Sequence, residues 1–174
     1  MKKRILLLAV AVAGLLLAPS CRKTEVSEHF QIGERLPDFS VTTTDGKKVT
    51  TSDLKGKPSI VIIFTTTCPD CTAQLPEVET VFAAHKEDIN VLAVNRGEKE
   101  DAVKACWLER GFTMPAAAPG DRSIYDLFDR GSQTGVPQVY ISNPQGVIIC
   151  FTNDQKVLTS DDIWSICQGK YLSL

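Results

Sequence analysis

The sequence predicts one α/β domain built around a strand–helix–strand unit. Residues 59–64 carry no charge and are rich in β-branched side chains, which is typical of a buried strand. Apolar residues then recur at intervals of four, three and four, as on one face of a helix: Cys71, Leu75, Val78 and Phe82. Residues 89–94 form a second apolar run. Two strands joined through a helix are expected to be parallel, with a right-handed crossover.

The remaining elements predict two hairpins and three more helices, with no internal repeat and no second domain. Asp45-Gly46 favours a tight turn, so a hairpin is expected at the N-terminal side of the domain. Residues 138–142 and 147–151 predict a second hairpin with its turn at 143–146. Helices are predicted at 98–110, ended by Gly111, and at 121–129, capped by Gly131. A last helix is predicted to end near Gly169, with Ser160 or Asp161 as its N-cap.

The first twenty residues have the pattern of a secretory signal. Three basic residues follow Met1, and residues 5–18 contain no charged or polar side chain. This run is short for a transmembrane helix. Small residues then precede Cys21, as in a bacterial lipobox, so we expect Cys21 to be lipidated after cleavage. The alternative is an ordinary signal peptide cut nearby, which would leave Cys21 as an unmodified thiol.

These patterns divide the chain into a signal peptide (1–20), a lipidated tether (21–34) and the folded domain (35–174). An alternative is that part of the tether packs as an edge element. Removal of the signal leaves 16 basic and 21 acidic residues. Without a basic cluster, nucleic-acid binding is not expected.

The sequence Cys68-Pro69-Asp70-Cys71 follows the first predicted strand and begins the predicted helix. Pro69 suits the first helical position, because its missing N–H would have no partner there. Cys68 is then the N-cap and faces solvent, while Cys71 begins the buried stripe. The helix N-terminus favours a Cys68 thiolate, and the Asp70 carboxylate opposes it. We expect Cys68 to attack a substrate disulfide and Cys71 to resolve the mixed disulfide.

A zinc site and a structural disulfide are the alternatives for this cysteine pair. A structural zinc needs four ligands, but the chain has only His29 and His85 and no second CxxC, so neither a metal nor a cofactor is expected. A purely structural disulfide would close a loop too short to stabilise much. His85 most simply favours the C-terminus of its helix. Three further cysteines are interpreted as core thiols, with a disulfide between the last two left open: Cys106, Cys150 and Cys167.

Residues 33–170 resemble the extracytoplasmic TlpA/ResA-like group of the AhpC/TSA–thioredoxin superfamily. Five segments carry this resemblance: Leu36-Pro-Asp-Phe-Ser40, Leu54-Lys-Gly-Lys-Pro58, the CxxC with Pro76 five residues later, Val94-Asn95, and Gly135-Val136-Pro137. The resemblance implies a thioredoxin fold, with a central mixed β-sheet flanked by helices and an added N-terminal β-hairpin. It also implies that Cys68 and Cys71 are a redox-active pair.

The resemblance assigns further residues to the site. Pro137 would be a cis-proline beside the dithiol, leaving the backbone N–H and C=O of Val136 unpaired for a substrate peptide. The alternative is that Pro137 merely starts an edge strand. Thr67 and Pro69 would border the same substrate, and Pro76 should kink the CxxC helix.

Three departures from the family pattern bear on the chemistry. Thr67 replaces the usual aromatic residue, which makes the rim more polar. Gln74 stands where many relatives have glutamate, and residues 59–64 lack the buried aspartate common in thioredoxins. An amide cannot accept a proton at neutral pH, so slower resolution by Cys71 is predicted.

The resemblance favours a lipid-anchored, periplasm-facing thiol–disulfide oxidoreductase. It would be a monomer that reduces disulfides of exported proteins and is regenerated by a membrane electron donor. One alternative is a thiol peroxidase, although Val61 occupies the position of a motif proline. Another is a copper chaperone, although no histidine follows His85.

Overall fold

The computed structural model describes residues 31–130, 135–153 and 156–170. These residues form seven strands, four α-helices and one short 3-10 helix at Thr51–Leu54. The strands are β1 (Ser40–Thr42), β2 (Lys48–Thr50), β3 (Ser59–Phe64), β4 (Asn90–Asn95), β5 (Ala116–Ala117), β6 (Gln138–Ser142) and β7 (Ile148–Thr152). The helices are α1 (Pro69–His85), α2 (Glu100–Arg110), α3 (Ser123–Asp129) and α4 (Ser160–Cys167).

The central sheet has five strands in the order β5-β4-β3-β6-β7. Strand β3 pairs with β4 in parallel and with β6 antiparallel, and β6 pairs with β7 antiparallel. All six residues of β3 are buried, as expected for a charge-free strand covered on both faces. The predicted parallel β3–α1–β4 unit and the mixed thioredoxin-type sheet are therefore confirmed.

Strand β5 was not predicted from the sequence. It consists of two alanines and pairs in parallel with β4, opposite Ala93 and Val94. A two-residue segment carries no periodic pattern, so only its position against β4 identifies it as a strand.

The N-terminal hairpin forms a separate two-stranded sheet. Strands β1 and β2 are antiparallel, and Gly46 in the connecting turn has a φ of 86° that suits glycine. The end of the predicted tether also contacts the domain. The N–H of Gly33 donates to the carbonyl of Ile148, and the N–H of Ile148 donates to the carbonyl of Glu34. Residues 33–34 thus pack beside β7, as in the edge-element alternative, whereas the signal and Cys21 lie outside the described residues.

Several helix boundaries differ from the prediction because side chains bind the backbone there. Helix α2 begins at Glu100 rather than at residue 98, and Gly111 ends it in the left-handed conformation as predicted, with a φ of 66°. Helix α3 ends at Asp129, and the residue after it, Arg130, is left-handed, while Gly131 lies outside the described residues. Helix α4 is capped by Thr159 instead of Ser160 or Asp161, because the Thr159 hydroxyl accepts from the N–H of Asp162 at 3.2 Å.

Among the residues that the structure describes, no helix has both the length and the apolar character needed to cross a bilayer.

Candidate active site

Cys68 caps the N-terminus of α1, as predicted. Its backbone is extended and Pro69 occupies the first helical position. The N–H of Cys71 donates to Cys68 Sγ at 3.3 Å, so the sulfur uses one of the donors that the first turn leaves free. The Cys68 side chain is half-buried. Its neighbours Thr67, Pro69 and Asp70 are exposed and form the rim of the site. A partner molecule can therefore reach this sulfur from the rim.

Cys71 lies one turn further along α1 and is fully buried. Both cysteines are free thiols in this structure. Burial raises the pKa of the Cys71 thiol strongly, and a hydrogen bond with the backbone of Thr65 only partly opposes this. Cys71 therefore stays protonated in the dithiol state, which leaves Cys68 as the sulfur that can begin an exchange reaction.

The Val136–Pro137 peptide bond is cis, as the resemblance implies. Pro137 precedes β6, which lies between β3 and β7, so the alternative of an edge strand is wrong. The thiol of Cys68 donates to the carbonyl of Val136 at 3.1 Å. Contrary to the prediction, the Val136 carbonyl is therefore not unpaired in the dithiol state, because it accepts one hydrogen bond from the nearby thiol.

A carboxylate that the sequence did not single out holds the segment before Cys68. Glu98 accepts from both the N–H and the hydroxyl of Thr66 at 2.7 Å, and Asn95 Nδ2 donates to the same carboxylate. Burial tends to raise the pKa of Glu98, but these hydrogen bonds outweigh burial and lower it. The side chain of Asn95 also accepts from the N–H groups of Gly97 and Glu98, which explains why α2 starts late.

Gln74, which stands where many relatives have glutamate, binds a segment that is distant in the sequence. Its side chain is fully buried, with Nε2 donating to the carbonyl of Leu158 at 3.0 Å and Oε1 accepting from the N–H of Leu158 at 2.8 Å. Both ends of the amide therefore bind the segment before α4. Gln74 joins this segment to α1, and slower resolution by Cys71 stays a prediction.

The other predicted residues lie away from the dithiol or at its margin. Pro76 lies inside α1 and is exposed, and the kink predicted there stays a prediction. His85 lies at the far end of α1 from Cys68 and stacks on Trp164, with ring centroids 3.6 Å apart. Cys106 is partly buried against the core.

The two C-terminal cysteines are both free and buried. Burial raises the pKa of Cys150, and it raises the pKa of Cys167 to about 12. Both are therefore protonated core thiols, which agrees with the interpretation from the sequence. Within 31–130, 135–153 and 156–170, no group of three or more His, Cys, Asp or Glu side chains is arranged to hold a metal ion.

The strand order, with a CxxC at the start of the helix that follows the central strand, defines a thioredoxin-fold thiol protein. The chain belongs to the AhpC/TSA family, whose model matches residues 32–150.

Individual relatives support this placement. The chain is 28% identical over 148 residues to the thiol-disulfide oxidoreductase ResA of Bacillus subtilis, covering 83% of this chain and 79% of that protein. It is similar to the solution structure of a putative protein disulfide isomerase from Bacteroides thetaiotaomicron, with a TM-score of 0.70, 27% identity, and coverage of 80% of this chain and 87% of that one. A secreted Mycobacterium tuberculosis disulfide oxidoreductase shares the fold, with a TM-score of 0.65, 20% identity, and coverage of 75% and 95%.

Proposed function

We propose that this chain reduces disulfides of exported proteins through Cys68 and Cys71. The protein is a thiol–disulfide oxidoreductase, in agreement with the names of its relatives. The observation that carries the proposal is the contrast between the two sulfurs. Cys68 is accessible at the N-terminus of α1, and Cys71 is buried, protonated and one turn away.

The reaction consists of two exchanges. The Cys68 thiolate attacks one sulfur of the substrate disulfide, which forms a mixed disulfide and releases the other sulfur as a thiolate that takes up a proton. Cys71 then loses its proton and attacks Cys68 Sγ, which forms the Cys68–Cys71 disulfide and releases the second substrate thiol. Two electrons and two protons pass to the substrate. A dithiol donor must then return two electrons to the enzyme, and we propose that this donor is a membrane protein.

The substrate would lie across the exposed rim. Thr67 and Pro69 are exposed on either side of Cys68 in the chain, and the Val136 carbonyl, just before Pro137, contacts the Cys68 sulfur. A peptide could add to the Val136 backbone as a short strand once Cys68 has lost its thiol proton. We further propose that the protein is a monomer and, on the basis of the N-terminal sequence pattern, that it is anchored through lipid on Cys21 and faces the periplasm.

Single cysteine variants test the chemistry. Cys68→Ser should abolish reduction of a disulfide such as that of insulin, and Cys71→Ser should accumulate a mixed disulfide visible on a non-reducing gel. Cys106→Ser is the matched control and should behave like the parent. Parental activity in Cys68→Ser would overturn the proposal.

The direction of electron flow needs a redox titration of the dithiol. A reduction potential near that of thioredoxin, about −270 mV, supports a reductant, whereas a value near about −120 mV indicates an oxidant. Faster peroxide consumption than by free cysteine would favour a peroxidase instead. Tight copper binding without disulfide reduction would favour a copper chaperone.

A further inference from the structure

An open cavity of about 290 Å³ lies beside the segment that leads into Cys68. Its lining combines that segment with the chain after β4 and the start of α3: Thr65, Arg96, Gly97, Glu98 and Arg122. The N–H of Arg96 donates to the carbonyl of Phe64 at 2.8 Å, which fixes Arg96 at the end of β3. The cavity therefore adjoins the redox site and does not include either cysteine.

Two guanidinium groups in this lining stack on one aromatic ring. The Cζ atoms of Arg96 and Arg122 lie 4.3 Å and 4.8 Å from the ring centroid of Tyr125. The Tyr125 hydroxyl donates to a carboxylate oxygen of Asp129 at 3.0 Å, so this ring is held in place. Stacking on an electron-rich ring orients a guanidinium but does not neutralise its charge.

The positive charge of Arg96 has no ion-pair partner in the described part of the chain. Arg122 pairs with Asp126 at 3.1 Å, but both side chains are about half exposed, so this pair holds Arg122 weakly. Glu98 lines the same cavity, and its carboxylate accepts three hydrogen bonds from Thr66 and Asn95, all from uncharged donors, so it keeps its negative charge. The lining thus places two oriented guanidinium groups against the single carboxylate of Glu98, and Arg96 makes no ion pair within the described residues.

Gly97 brings the two arginine-bearing segments together. Its φ is 146°, and a Cβ at this position would lie 3.2 Å from the carbonyl carbon and oxygen of Asp121, the residue before Arg122. A larger residue would push the segments apart. The juxtaposition of Arg96 and Arg122 is therefore built into the backbone.

The cavity lies within reach of a peptide bound at Cys68. Thr65 and Cys68 are three residues apart, so their Cα atoms are separated by at most about 11 Å. An extended peptide rises about 3.3 Å per residue, so a side chain two or three residues from its cysteine spans this distance. A carboxylate is the group whose geometry matches a guanidinium, since both are planar and can form two parallel hydrogen bonds.

We propose that Arg96 and Arg122, stacked on Tyr125, form a carboxylate-binding subsite that selects substrates with Asp or Glu two or three residues from the attacked cysteine. The proposal rests on the disulfide-reducing function proposed above and specifies its substrate class.

Three disulfide peptides, identical except for Glu, Gln or Lys two residues from the cysteine, test the subsite with the full-length protein. We expect kcat/KM to be highest for the Glu peptide, and the ratio of Glu to Gln peptides to fall about tenfold in Arg96→Gln, the effect of one charge-assisted hydrogen bond. Arg96→Glu should invert the preference, so that the Lys peptide becomes the best substrate. A merely structural role for Arg96 would not produce this inversion.

Lys104→Gln is the matched control, because it removes one positive charge from an exposed pair with Glu100 on α2 and should leave the preference intact. The preference should also weaken between about 0.01 M and about 1 M salt, over which the Debye length falls from about 30 Å to about 3 Å. Equal kcat/KM for the three peptides, or a preference that Arg96→Glu does not invert, would overturn the subsite alone. No reduction of any peptide would instead overturn the proposed function.

Discussion

Replacing Gln74 by glutamate tests whether this side chain serves to join α1 to the segment before α4. The alternative is that the position only lacks the proton-accepting glutamate of many relatives. A protonated glutamate can reproduce both hydrogen bonds of the amide, since its hydroxyl can donate to the carbonyl of Leu158 and its carbonyl oxygen can accept from the N–H of Leu158. An ionised glutamate cannot, because its oxygens only accept and would face the Leu158 carbonyl. The site is fully buried, so the carboxylate would also lose its hydration.

The expected cost follows from the pKa of glutamate in the unfolded chain, which is about 4.3. Holding the carboxyl protonated at pH 7, about 2.7 pH units higher, lowers the free energy of unfolding by up to about 3.7 kcal/mol. Folding raises the pKa of this carboxyl, so the unfolded chain releases its proton first and stability falls as pH rises above about 4.3. Below that pH, Gln74→Glu should be about as stable as the parent.

Urea unfolding of Gln74→Glu and the parent across this pH range measures the effect. Gln145→Glu is the matched control, because the same chemical change at an exposed position in the β6–β7 turn should leave the difference in stability from the parent almost independent of pH. Parallel pH profiles for Gln74→Glu and the parent would refute the assignment of Gln74 as a buried link to Leu158.

Two further predictions concern side chains that the structure, rather than the sequence, identified. Glu98→Gln should lower both the reduction rate and the free energy of unfolding at about pH 7. Because folding lowers the pKa of Glu98, the deficit in the free energy of unfolding should shrink as pH falls below the pKa of a free glutamate, about 4.3, and a deficit that stays constant in acid would contradict this reasoning. Thr159→Ala removes the cap of α4 and should cost about 1 kcal/mol in urea unfolding, with Gln168→Ala at the other end of the helix as the control.

The sequence predicted those elements whose pattern is local and strong. Strand β3 has a charge-free run, and α1 has its apolar stripe with Pro69 at the first helical position. Strand β5 was missed because two alanines acquire their role only through pairing with β4. The starts of α2 and α4 were misplaced by one or two residues, because side-chain bonds from Asn95 and Thr159 decide where the helical ladder begins.

For the site as well, the residues predicted correctly are those with a local sequence pattern, and the contacts missed are those between distant segments. Cys68 and Cys71 follow from four adjacent residues and their position before a helix. The link from Gln74 to Leu158 spans 84 positions, and the bond from Cys68 to the Val136 carbonyl spans 68. No local pattern predicts such pairs, so the sequence indicated only that Gln74 cannot accept a proton, and it suggested an unpaired carbonyl at Val136.

The hydrogen bond from the Cys68 thiol to the Val136 carbonyl links the chemistry of the nucleophile to peptide capture. While Cys68 keeps its proton, the carbonyl that an incoming strand would use already accepts one hydrogen bond and offers only its second lone pair. Loss of that proton creates the attacking thiolate and frees the carbonyl in the same event. The Val136 carbonyl is therefore most available to an incoming polypeptide when Cys68 is the thiolate that attacks it.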